Sequence, residues 1–131
     1  LSLCGEHLSV DNMNNAVQMA SSDMDIVVKE FTVAGLPDGS LFSHHWFVGV
    51  DEQVDKELLR EKIDNYLKEL NDDYAVERKH ALKNIYLDVL PNEVFYGWMK
   101  SIGKEGGQTK FPRVLKKEKL ESWLNYLKQE A

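Results

Sequence analysis

Residues 25–51 read DIVVKEFTVAGLPDGSLFSHHWFVGVD, and the fold turns on them. In the first part, DIVVKEFTVAG, alternation puts Val27, Phe31 and Val33 on one side, with Lys29 sharing that side at an edge or end position. That period of two predicts a strand. LPDGS, residues 36–40, predicts a turn, because Pro37 presets one backbone dihedral and Gly39 accepts a positive one. HHWFVGVD, residues 44–51, then returns as the partner strand.

Working outward towards the N-terminus, Leu1, Leu3 and residues 6–8 suggest a short first strand broken by Gly5. Ser9 can cap a helix whose apolar positions Met13, Val17 and Ala20 share a face, and Leu8 is placed to staple onto Met13. Towards the C-terminus, Asp55 is a good N-cap, Val54 can staple to Leu59, and Leu59, Ile63, Tyr66, Leu67 and Leu70 recur at helical spacing. LNDDYAVERKHALKN breaks and restarts that helix, with Asp72 or Asp73 as the second cap. IYLDVL predicts a strand with Ile85, Leu87 and Val89 on one face. Pro91 and Asn92 end it and open a helix with the stripe Phe95, Trp98, Met99 and Ile102, which Gly103 stops. A last helix from about Lys116 turns Leu120, Trp123, Leu124 and Leu127 inward.

The order strand, helix, strand, strand, helix, strand predicts an α+β fold. Its sheet, mixed or antiparallel and of about four strands in a βαββαβ core, is covered by helices on one face, and two further helices follow at the C-terminus. With 131 residues, 43% of them apolar and 29% charged, the chain suits one domain over residues 1–131. The absence of an initiator methionine, and a start inside a strand-like segment, suggest a piece of a larger protein.

A net charge of -6 argues against a general nucleic-acid binder, which needs a basic face to displace counterions. No apolar run reaches the roughly 18 to 20 residues that cross a bilayer. The lone Cys4 cannot form an internal disulfide and suits a reducing, cytoplasmic setting. These features predict a soluble protein with neither nucleic acid nor membrane as a partner.

Most candidate sites read as structure. His44 and His45 are adjacent, so on a strand they face opposite ways and cannot share a metal. His7 and His80 have no second ligand at helical or hairpin spacing, so no metal site is expected. Cys4 lacks a partner that would mark it as a nucleophile, and Trp46, Trp98 and Trp123 fit the apolar stripes. GGQTKFPR, residues 106–113, differs from these. Gly103, Gly106 and Gly107 loosen the segment, and Pro112 holds Phe111 extended, so Lys110 rides on a tether that can deliver it elsewhere. A polar loop between two helices is the competing reading of the same residues. The spacing is not that of a Walker phosphate loop.

Ser101, Gly103, Gln108, Lys110, Pro112 and Arg113, written S-x-G-x4-Q-x-K-x-P-R, resemble the closing segment of the Gretchen Hagen auxin-responsive family of acyl acid amido synthetases. LCGEHLS near the start resembles the family's G-E-[KH]-[LT]-S segment after the interdomain hinge, and LNDDYAVERK resembles its LNxxY helix region. The flavour is that of the bacterial branch. The plant branch has Q-Y-K-T-P-R where this chain has Thr109 and Phe111, and the wider superfamily has glycine where Thr109 stands. The likeness covers nearly the whole chain but only the small C-terminal part of the family's proteins.

The resemblance implies an adenylate-forming reaction. A carboxylate attacks the α-phosphorus of ATP, with Mg2+, to give an acyl-adenylate, and an amine or amino acid then displaces AMP. It implies that this chain is a C-terminal lid over an N-terminal adenylation domain that binds the ATP and the acyl acid. It implies that Lys110 serves the first step; Gln108 and Arg113 read either as supports that, with Gly107, bind substrate or nucleotide, or as loop anchors within this domain. A fragment lacking the ATP and acyl pockets is expected to be inactive alone and to bind no cofactor alone. The alternative is a stand-alone α+β module that binds a small ligand or a protein through its sheet.

Overall fold

A computed structural model describes residues 8–103 and 111–130. Its elements run α1 (Val10–Met24), β1 (Glu30–Asp38), β2 (Leu41–Gly49), α2 (Lys56–Leu70), α3 (Asp72–His80), β3 (Leu82–Leu90), α4 (Asn92–Ser101) and α5 (Lys117–Glu130). Among the described residues the fold is therefore α+β with five helices and a three-stranded mixed sheet in the order β1-β2-β3. β1 and β2 are antiparallel, whereas β2 and β3 are parallel.

The expected four strands are not all found. The expected first strand falls on residues 1–8, of which 1–7 lie outside the described residues. Leu8 itself is buried and belongs to no strand. A fourth position is partly filled from the other end of the chain, where Val114 makes an isolated parallel bridge to Val33. Val33 N donates to the Arg113 carbonyl at 2.9 Å, and Leu115 N donates to the Val33 carbonyl at 3.0 Å. These bonds occupy backbone groups on the outer edge of β1 that would otherwise invite pairing with another chain.

The hairpin differs in register from the sequence expectation. Residues 25–29 are not strand: Asp25 closes α1 in the left-handed region at φ 54, and Val27 is exposed and donates its N–H to Glu52. β1 instead continues through Pro37, which pairs with Phe42 near the strand end, and Asp38 pairs with Leu41. The turn is thus only Gly39 and Ser40, with Gly39 at φ 65 supplying the positive dihedral that tight hairpins need.

The helix starts follow local chemistry. Ser9 Oγ accepts from Asn12 N at 2.9 Å while Asn12 Oδ1 accepts from Ser9 N at 3.3 Å, a reciprocal capping box. Asp55 Oδ1 accepts from Leu58 N at 3.2 Å. At α3 the cap is Asn71 rather than Asp72 or Asp73. Asn71 is the extended residue (φ -147), and its Oδ1 accepts from Tyr74 N at 2.9 Å. The two aspartates fall inside the first turn, where the positive end of the helix dipole favours them.

Helices lie on both faces of the sheet, not on one. Alternation along β2 sends His44, Trp46 and Val48 to the first face, where Phe31, Val33, Ile85 and Leu87 join them. α1 closes this face with Met13, Ala16, Val17 and Ala20, and α2 closes it with Leu59, Ile63 and Leu67. On the second face Phe47 meets Phe95, Trp98 and Met99 of α4, Trp123 of α5, and Phe111 and Leu115 from the connecting segment. Burying such side chains supplies on the order of 1.5 to 3 kcal/mol each before conformational entropy is counted. α4 and α5 reach only part of the second face. Among the described residues, no helix is long and apolar enough to cross a membrane.

Candidate functional site

Gly107, Gln108 and Lys110 lie outside the described residues. Two described segments flank them. On one side α4 ends at Ser101 and is capped by Ile102, followed by Gly103 at φ 76, whose N–H donates to the Lys100 carbonyl at 3.0 Å. On the other side Phe111 is 3% exposed, with ring centroids 5.0 Å from Phe95 and 5.2 Å from both Trp98 and Trp123.

Arg113 is held from three directions. Its Nη1 donates to Glu30 Oε1 and to the Phe31 carbonyl, each at 3.0 Å. Its guanidinium carbon sits 4.4 Å from the centroid of the Phe31 ring, a cation–π arrangement. The segment after Lys110 is therefore tied to β1 by backbone pairing, by a charged hydrogen bond and by a buried aromatic ring. The structure brings Arg113 to Glu30, and in this arrangement its Nη1 faces the domain's own β1.

A second feature lies on the uncovered part of the sheet's second face. Asp38, Ser43, His45, Tyr86 and Asp88 line a cavity of about 660 Å³, and Lys56, Glu57 and Arg60 of α2 reach it past β3. His45 Nε2 is 2.7 Å from Asp88 Oδ2, and Lys56 Nζ is 3.9 Å from Asp88 Oδ1. The His45 ring stacks on Phe47 at 4.3 Å and 18° and meets the edge of Tyr86 at 6.1 Å. Asp38 is held below the usual carboxylate range, first by a hydrogen bond from Ser43 Oγ (2.6 Å) and then by one from Tyr86 Oη (2.9 Å).

The adjacent histidines do face opposite ways. His44 is fully buried on the first face, with its ring 6.1 Å from that of Tyr74. Among the described residues, no group of three or more His, Cys, Asp or Glu side chains could hold a metal ion. Sequence reading tested the histidines only as metal ligands and so passed over His45 with Asp88. The available signal was alternation: both residues occupy outward positions on their strands. Their pairing depends on the register of two parallel strands 43 residues apart.

Comparison with known proteins bears on the whole chain. Among solved structures, "GH3.15 acyl acid amido synthetase" superposes with a TM-score of 0.77 at 18% identity, covering 98% of this chain and 25% of that one. "AtGH3.15 acyl acid amido synthetase in complex with 2,4-DB" superposes with a TM-score of 0.69 at 16% identity, covering 96% and 25%. The chain thus spans about a quarter of the length of these structures, and at such identities the likeness is one of fold. No curated protein matches the chain. The family model described as "GH3 family C-terminal domain" matches residues 11–119, well over half of the sequence, and the chain belongs to that family.

Proposed function

We propose that the chain is the mobile C-terminal domain of a longer, cytoplasmic, ATP-dependent acyl acid amido synthetase of bacterial type. In that enzyme an N-terminal adenylation domain supplies the sites for ATP, Mg2+ and the acyl acid. An acyl-adenylate forms and its acyl group passes to an amine or amino acid, while this chain alone is inactive. Lys110 serves the first step: as carboxylate meets phosphate, negative charge gathers on the reacting oxygens, and an ammonium in a closed site stabilises it. Gln108 and Gly107 shape its approach to the nucleotide, and Arg113 fixes the base of its tether.

One observation carries this reading. Lys110 directly precedes Phe111, a buried ring in the aromatic cluster, and Arg113 two positions on is pinned to β1. A cation next to so firm an anchor can be presented at the domain surface with little loss of aim, which is what a charge delivered to another domain's site requires.

The test is ATP–pyrophosphate exchange by the full-length protein with a panel of carboxylic acids, including the 2,4-DB named with one structural neighbour. Lys110→Ala is expected to slow exchange by about 100- to 1000-fold, the cost of losing one preorganised donor, with nucleotide binding little changed. Exchange at the wild-type rate overturns the assignment of Lys110. The cavity at His45 favours a second reading, a stand-alone module that binds a small ligand. A coding region with no adenylation domain upstream would decide for it.

A further inference from the structure

We propose that His45 and Asp88 form the proton acceptor for the amine in the second half of the reaction, an inference that rests on the amide-synthetase reading. The carboxylate of Asp88 accepts from Nε2 at 2.7 Å, so Nε2 carries the ring hydrogen and the basic lone pair belongs to Nδ1. Phe47 beneath the ring and Tyr86 at its edge fix the plane of the imidazole. The residue is about one quarter exposed, and the cavity of about 660 Å³ beside it has room for a substrate. A surface pair kept only for stability contributes little and has no need of a cavity or of a ring stacked on one face and met at its edge. The charged and titratable groups facing His45 are Asp88 and Tyr86 of β3, Asp38 of β1, and Lys56, Glu57 and Arg60 of α2.

The chemistry calls for such a group. An amine is an ammonium at neutral pH, with no free electron pair to attack an acyl carbon. It gives one proton to His45 Nδ1, and the imidazolium formed is stabilised by Asp88. The freed nitrogen pair then forms the C–N bond. The bond from acyl carbon to phosphate oxygen breaks, AMP leaves with that electron pair, and the second nitrogen proton passes to water. The cavity spans residues of β1, β2 and β3 on the second face, and Val114, which follows the Lys110 segment in sequence, bridges to Val33 of β1.

The experiment uses full-length enzyme carrying His45→Gln or Asp88→Asn. Pyrophosphate exchange is measured first, and then acyl transfer to two probes, glycine and hydroxylamine. Hydroxylamine is largely unprotonated at neutral pH and needs no base to free its electron pair. The expected result is exchange retained, transfer to glycine lowered about 100-fold, and transfer to hydroxylamine lowered no more than a few-fold. Equal losses with both acceptors, no loss with glycine, or loss of exchange alongside transfer overturns the proposal. If the wild-type enzyme shows no exchange with any acid, the amide-synthetase reading itself fails, an outcome distinct from failure of the dyad.

Discussion

Arg113 Nη1 donates to Glu30 Oε1 at 3.0 Å across 83 residues of sequence, joining the segment after Lys110 to the first residue of β1. Both side chains are mostly buried, at 26% and 16% exposed. Glu30→Ala is expected to lower the unfolding free energy by about 1.5 to 3 kcal/mol, the range for a hydrogen bond between charged groups. The measurement is urea unfolding, read as a lower midpoint at an unchanged slope. Arg113→Lys should be nearly as damaging, since an ammonium cannot bond Glu30, bond the Phe31 carbonyl and lie flat over the Phe31 ring together.

Asp64 anchors a second network, on the α2–α3 side. Its Oδ1 accepts from Tyr74 Oη at 2.6 Å and from Arg78 Nε at 2.9 Å, and its Oδ2 accepts from Arg78 Nη2 at 3.1 Å. Burial alone would push this carboxyl up, but the bonds from Arg78 and Tyr74 and the charges of Arg78 and Lys68 together hold it below its usual value. Asp64→Ala removes the carboxylate that Arg78 Nε, Arg78 Nη2 and Tyr74 Oη share, although Arg78 Nη1 keeps the Leu82 and Lys83 carbonyls, and should cost about 3 to 5 kcal/mol, measured by thermal or urea unfolding.

The lowered Asp64 carboxyl also sets a direction with pH. Its stabilisation is fully present above the unfolded carboxyl's pKa, about 4, and is lost as pH falls through the lower folded value. A series of urea midpoints from pH 6 downwards, on the order of one pH unit apart, should fall more steeply for the wild type than for Asp64→Asn. Parallel curves would show that Asp64 is not a source of the acid sensitivity.

Gly49 meets α4 at close quarters. A Cβ built there would overlap Asn92 Oδ1 and stand 3.1 Å from the Phe95 ring. Asn92 cannot step aside freely, because its N and Nδ2 both donate to Asp51, at 3.0 and 3.1 Å. Gly49→Ala should therefore cost about 1 to 3 kcal/mol, as overpacking does. Gly97→Ala meets only the far end of the Tyr126 side chain, which can swing, and should cost less in the same unfolding assay.

Phe111→Ala removes a ring that touches Phe95, Trp98 and Trp123 together. A loss of about 3 to 5 kcal/mol is expected, with faster amide hydrogen exchange at Leu115, whose N–H donates to Val33.

What the sequence made legible was local. Ser9 and Asp55 announce their helices by chemistry within three residues, and the stripe Phe95, Trp98, Met99 follows from helical period alone. Asn71 was missed because two aspartates beside it are equally good caps, and only backbone conformation chooses among them. Strand limits at Glu30 and Asp38 depend on where β2 finds partners, so the period of two that carried Val27 and Lys29 into the strand misled. The setting of Arg113 and the meeting of His45 with Asp88 come from pairings 83 and 43 residues apart, and a one-dimensional pattern does not carry such register. Lys110 stood out in the sequence for its tether and its family motif, while its anchor at Phe111 emerges from packing.

The bridge between Val33 and Val114 has a consequence for biosynthesis. A nascent chain leaves the ribosome N-terminus first, and β1 is complete long before the residues that cover its outer edge are made. Until Phe111 and the residues after it emerge, that edge stays bare and Phe47 lacks the cover of Phe111, Leu115 and Trp123. Premature termination before Phe111 would thus release a sticky, half-finished sheet, and cellular quality control has reason to recognise it.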